Sequence, residues 1–66
     1  MNINKLKGKI VEREMNVEQL AAAIGTERST LYRKLNDAEK ITIGEAVRMK
    51  EVLRLSDDEA CEIFLS

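Results

Sequence analysis

Arg28, Ser29, Thr30 and Arg33 stand within six residues of one another, in a segment whose apolar residues, Leu31 and Leu35, are only one helical turn apart. On a helix, these spacings put the four polar side chains on an outward side and leave one narrow edge to bury. An arginine there offers two parallel donors that match O6 and N7 of guanine, a contact worth about 1–3 kcal/mol of discrimination. Ser29 and Thr30 add short hydroxyls that donate and accept. Glu27, just before them, can accept from cytosine or orient Arg28, and the sequence leaves both open. Tyr32 is likewise open, as a ring over the core edge or as a contact of the same outward surface.

Other chemistries have little to build with. The chain has no histidine, one cysteine and three glycines in 66 residues. It therefore offers no base–nucleophile arrangement, no glycine-rich phosphate loop and no structural zinc set, and is read as a non-enzyme without metal, cofactor or small-molecule ligand. Cys61 is expected to be a small core residue, because free cysteine is usually buried.

The elements that must carry the polar cluster are helices. Asn16 and Gln19 have the spacing of a capping box, and Met15 and Leu20 flank them at the positions of a hydrophobic staple. Leu20, Ala21 and Ile24 then repeat at 3.6-residue spacing up to Gly25, so a short helix is predicted over roughly 17–24, closed by a left-handed glycine. Thr26, or less well Glu27, caps the next helix, which carries Leu31 and Leu35. Ahead of this pair, Ile3, Leu6, Ile10 and Val11 predict helix one, from Ile3 to about Glu14. Its lysines 5, 7 and 9 are read as a solvated face, and Gly8 weakens it by about 1 kcal/mol relative to alanine.

Beyond Asn36, the polar run Asp37-Ala38-Glu39-Lys40 is a loop. Thr42 and Glu45 form a second capping box, starting a helix with Ile43, Ala46, Val47, the stem of Lys50 and Leu53 as its expected inner side. Ser56 and Glu59 repeat the device, and Asp57 and Asp58 suit the helix dipole. Helix five then runs to about Phe64, with Ala60, Ile63 and Phe64 inward. The apolar end at Leu65 is either the last piece of the core or part of a subunit contact.

The order Leu20-Ala21-x-x-Ile24-Gly25-x-x-x-x-x-Leu31, with Arg28-Ser29-Thr30 before Leu31, resembles the helix-turn-helix of the lambdoid phage repressor and Cro family, the XRE-type regulators. The resemblance implies an all-α, compact five-helix bundle of the lambda repressor-like type over residues 1–66, with helices 2 and 3 forming the motif. It also implies a phage or prophage transcriptional repressor whose third helix enters the major groove of double-stranded DNA, binding as a homodimer on two half-sites. Glu27, Arg28, Ser29, Thr30 and Arg33 then read bases. Asn16, Gln19, Lys34, Asn36, Lys40 and Thr42 are the phosphate candidates, Thr42 through the free N–H groups of the helix it caps. Helix one of this family lies near the sugar-phosphate backbone. Two positions depart from the pattern: Glu27 stands where a small hydroxyl residue is usual, and Lys34 where an apolar one is, with Leu35 taking its place and implying a rotated third helix.

Charge bears on this reading through its distribution. The net charge is −1 and the pI about 5.4, which by themselves argue against nucleic acid. Residues 1–36 nevertheless hold seven Lys/Arg against four Glu, whereas residues 37–66 hold four Lys/Arg against eight Asp/Glu. That is +3 against −4, the asymmetry of a one-faced binder. The rival from another class is a protein-interaction module, an antirepressor or adaptor on the same fold, which the acidic second half favours. No apolar run approaches the ~20 residues of a membrane span, and no signal-peptide core precedes the first helix, so the expected location is the cytoplasm.

Overall fold

The described residues form five helices, four of which begin at a side chain that accepts from the first turn. In the computed structural model, which describes residues 1–37 and 40–65, these are α1 (Ile3–Glu12), α2 (Val17–Ile24), α3 (Arg28–Asn36), α4 (Ile43–Val52) and α5 (Asp57–Phe64). The described residues are thus all-helical. Ala38 and Glu39 of the expected 37–40 loop lie outside the described residues.

All three expected capping boxes form. The Asn16 carboxamide accepts from the Gln19 N–H at 2.8 Å and the Gln19 oxygen from the Asn16 N–H at 3.0 Å. Thr42 with Glu45 and Ser56 with Glu59 make the same reciprocal bonds at 2.9–3.1 Å. The start of α3 differs. Glu27 is its N-cap and makes no side-chain cap bond, and Thr26 does not cap it either. Thr26 is instead drawn into the end of α2, where its N–H donates to the Ala21 carbonyl at 2.9 Å beside a left-handed Gly25 at φ 80°.

The same closure ends α1 and α4 without glycine. Glu14 and Arg54 adopt positive φ, 58° and 53°. The next residues donate back across the last turn, Met15 N–H to Ile10 O and Leu55 N–H to Lys50 O, both at 3.0 Å. Helix one therefore stops at Glu12, two residues short of expectation. A non-glycine residue costs about 1–2 kcal/mol in this conformation, offset here by carbonyls that would otherwise be left without partners.

One apolar cluster fills the centre: Leu6 and Ile10 of α1, Leu20, Ala21 and Ile24 of α2, Leu31 and Leu35 of α3, Met49 and Leu53 at α4, Leu55, and Ile63 of α5. Within this core α2 packs against both α3 and α4, and α1 against α5. Four expectations about facing need correction. Val11 is exposed, because Ile3, Leu6 and Ile10 define the inward edge of α1. On α4 the buried stripe is Glu45, Met49 and Leu53, leaving Ile43 86% and Val47 49% exposed. The helix is turned so that the Glu45 carboxylate, which closes the cap, also meets Lys34 of α3 at 2.7 Å. Cys61 is exposed rather than in the core. It lies two residues, about 200° of helix, from the buried Ile63, and Ala60 and Phe64 occupy the half-buried edges instead.

Fourth, the lysines of α1 are more than a solvated face. Lys5 pairs with Glu62, and Lys9 with both Glu59 and Glu12, stitching α1 to α5. The hydrogen bond from Lys9, helped by the Ser56 backbone N–H, holds the Glu59 carboxyl down at about 2. Arg13 closes the opposite end of the bundle. Its Nε donates to the Leu53 carbonyl at 2.7 Å and its Nη2 to that of Arg54 at 3.3 Å, satisfying the C-terminal turn of α4. No helix among the described residues is long and apolar enough to cross a membrane.

Candidate nucleic-acid interface

The α2–α3 angle is built from small and branched side chains. Ala21 and Ile24 of α2, the latter just before Gly25, and Leu31 and Leu35 of α3 are buried in one shared cluster. α3 spends those two leucines on the core and turns Lys34 toward α4, and most of the rest of its circumference is available. Glu27, Arg28, Ser29, Tyr32, Arg33 and Asn36 are exposed, and Thr30 is half-buried beside them.

Two of the cations on this surface are held in place by neighbours. The Arg33 Nη2 reaches the Thr30 hydroxyl, one turn back, at 3.5 Å. Arg28 Nη1 lies 3.6 Å from the Glu18 carboxylate of α2, with both side chains more than 60% exposed. Water screens so open a pair strongly, and it can be exchanged for another partner at little cost. Sequence spacing gave no sign of Glu18, since the pair crosses from one helix to the next over ten residues.

Lys34 behaves differently from its neighbours. Its side chain is 23% exposed and its ammonium contacts Glu45, whose side chain is 8% exposed. Burial pushes the Glu45 carboxyl up, but the hydrogen bonds from Lys34 and from the Thr42 backbone N–H outweigh it and leave the group below its ordinary value. The polar residue at position 34 thus has a physical explanation: α3 turns a cation toward α4, and α4 supplies the anion that receives it. Leu35, next in sequence, takes the buried position. Among the phosphate candidates, Lys34 has its charge already neutralised within the fold, by Glu45.

The remaining candidates fall into two groups. Asn16 and Gln19 sit together at the N-terminus of α2, their oxygens used in the capping box and their amide nitrogens making no hydrogen bond among the described residues. At the other end of α3, Thr30, Arg33, Lys34, Asp37 and Lys40 line one open cleft of about 400 Å³. Asp37 is an acid in this cleft that sequence reading placed only in a loop. Thr42 caps α4 just beyond Lys40, leaving the first N–H groups of that helix without intrahelical acceptors. Asn36 lies apart from the cleft, in a groove with Tyr32, Val11 and Leu35. Tyr32 lies against that groove between α1 and α3 and is half exposed.

No protein-family model, curated protein or solved structure matches this chain. What the surface can do therefore rests on its own chemistry. It presents two arginines, two hydroxyls and two acidic groups, Glu18 and Glu27, on and beside one helix.

Proposed function

We propose that the chain is a helix-turn-helix domain of the lambda repressor-like kind that binds double-stranded DNA in a sequence-specific way, with α3 in the major groove, and that it represses transcription as regulators of the phage type do. The observation that carries this reading is that α3 is anchored by Leu31, Leu35 and the Lys34–Glu45 pair and leaves Glu27, Arg28, Ser29 and Arg33 open to solvent. A helix about 10–12 Å wide with its side chains fits the ~12 Å major groove.

On docking, Arg28 exchanges the screened Glu18 carboxylate for a base edge, and guanine is the base that its two parallel donors suit best. Arg33, oriented by Thr30, reads one turn further along. Glu27 accepts from an exocyclic amine such as that of cytosine. The amides of Asn16 and Gln19 and the Lys40–Thr42 end of α4 hold the phosphates on either side, which positions the helix without reading sequence. Lys34 acts indirectly, fixing α3 against α4 through Glu45. With so few open cations one copy binds weakly, and two copies on half-sites ~34–36 Å apart supply the rest.

The exposed carboxylates of Glu18 and Glu27 beside Arg28 favour a second reading, in which the same surface meets a protein partner. Salt separates the two. For DNA, log K falls against log salt by about 0.9 for each phosphate neutralised. Enrichment of random duplexes on the purified protein at fixed salt should return a half-site repeat. A flat salt response with no enriched sequence overturns the DNA reading.

A further inference from the structure

Most of the basic side chains already have work inside the fold. Lys5, Lys9, Arg28, Lys34 and Lys50 pair with carboxylates, and Arg13 is spent on the carbonyls of Leu53 and Arg54. Arg48 of α4 is different. It is exposed and pairs with no carboxylate among the described residues. Partners stand at the right helical spacing, Glu45 three residues before it and Glu51 three after. Glu45 is taken by Lys34, and the Arg48 guanidinium does not turn to Glu51.

Instead it lies back along α4. A Cβ built on Gly44 would stand 3.9 Å from Arg48 Nη2 and 4.0 Å from Thr42 Oγ1. Long side chains on a helix lean toward its N-terminus, and the missing side chain at Gly44 gives this one an open path to Thr42. Guanidinium and hydroxyl therefore border one small gap. The Thr42 oxygen accepts from the Glu45 N–H at 3.1 Å, which leaves the hydroxyl hydrogen to be donated outward. Lys40, also without a carboxylate partner among the described residues, stands two residues ahead. Three residues of helix bring Arg48 to within about 60° of Glu45, so the gap sits on the shoulder of the contact that joins α4 to α3.

We propose that Arg48 binds a phosphate of the DNA backbone, gripping it together with Thr42 beside the groove that α3 enters. The planar fork of an arginine matches two phosphate oxygens at once, and the Thr42 hydroxyl supplies a further donor. The inference rests on the DNA reading given above and adds to it a residue from the acidic half of the chain. Arg48 positions the protein and reads no base.

The test is a salt titration, from about 50 to about 200 mM, of a duplex enriched on the parent protein and of a scrambled duplex of equal length. One phosphate contact contributes about 0.9 to the slope of log K against log salt, so over this range the fall in affinity of Arg48→Gln should be roughly 3-fold smaller than the parent's, on both duplexes. Arg48→Lys keeps the charge and should keep the parent's slope. Gly44→Glu puts a carboxylate one turn before Arg48, in the favourable order and in the first turn of α4. It should raise the melting temperature and yet lower the slope as Arg48→Gln does, which loss of folding could not produce. A parent that binds neither duplex overturns the DNA reading and this inference with it. A parent with a steep slope that Arg48→Gln or Gly44→Glu retains overturns this inference alone. So does a loss confined to the enriched duplex, or an Arg48→Lys slope as shallow as that of Arg48→Gln.

Discussion

Replacing Lys34 by methionine tests the least expected feature of the fold. The substitution keeps the length and most of the volume of the side chain and removes only the ammonium that contacts Glu45 at 2.7 Å. The Glu45 carboxylate is then left 8% exposed, with the Thr42 N–H, at 2.9 Å, as its remaining strong donor. Loss of a hydrogen bond to a charged group costs about 1.5–3 kcal/mol, and removing one partner of a fully buried pair about 3–5. Lys34 keeps some contact with water, so about 2 kcal/mol is expected, a fall in melting temperature of roughly 8–16 °C for a domain of this size. The pH dependence supplies the sharper check. In the parent the Glu45 carboxyl sits below its ordinary 4.5, so its contribution is present above that value and fades as pH falls through the lowered one. In Lys34→Met burial acts with less opposition and moves the group upward, so the variant carries a penalty above the raised value that disappears in acid. The gap between parent and variant should be widest near pH 7 and shrink toward pH 3. Thermal melts across that range decide the matter. A gap that is constant with pH, or wider in acid, would show that Lys34 contributes by packing and that the ion pair is not what joins α3 to α4.

Other perturbations follow from the same structure. Gly8 lies within α1 and a Cβ built there meets nothing within 4 Å, so Gly8→Ala should stabilise by about 1 kcal/mol in denaturant titration. Gly25→Ala places a side chain at φ 80° and should cost about 1–2 kcal/mol at the turn that positions α3. The Glu59 carboxyl is held at about 2 by Lys9 and the Ser56 N–H. Its contribution is therefore complete above about 4.5 and lost as pH falls toward 2. In Lys9→Met this acid-dependent loss should be smaller, with the Glu59 titration followed by NMR moving upward.

Much of this fold was legible because it is local. A capping box needs only two residues three apart, and Asn16–Gln19, Thr42–Glu45 and Ser56–Glu59 all declared themselves that way. Features decided between helices were not legible. Glu45 reads as a cap and nothing more until Lys34 is seen opposite it, and hydropathy then assigns the inner side of α4 to Ile43 and Val47 instead of Met49. The Lys5 and Lys9 pairs with α5 bridge some fifty residues. Glu14 and Arg54 end their helices in a conformation that glycine usually signals, so nothing in their type marked the stop. In the candidate interface, the exposure of Arg28, Ser29 and Arg33 followed from the narrow Leu31–Leu35 edge. The acids beside them, Glu18 and Asp37, come from neighbouring segments and left no periodic trace.

The central claim is that the outward side of α3 reads DNA, and a paired titration tests it most directly. A duplex enriched on the parent protein and a scrambled duplex of equal length are each titrated with the parent and with Arg28→Ala at one fixed salt concentration. The account predicts that the variant loses about 1–3 kcal/mol, roughly 5- to 150-fold, on the enriched duplex. On the scrambled duplex, where the arginine has no guanine to recognise, it should lose far less. Equal affinity of the two proteins for the enriched duplex would contradict the assignment of this surface.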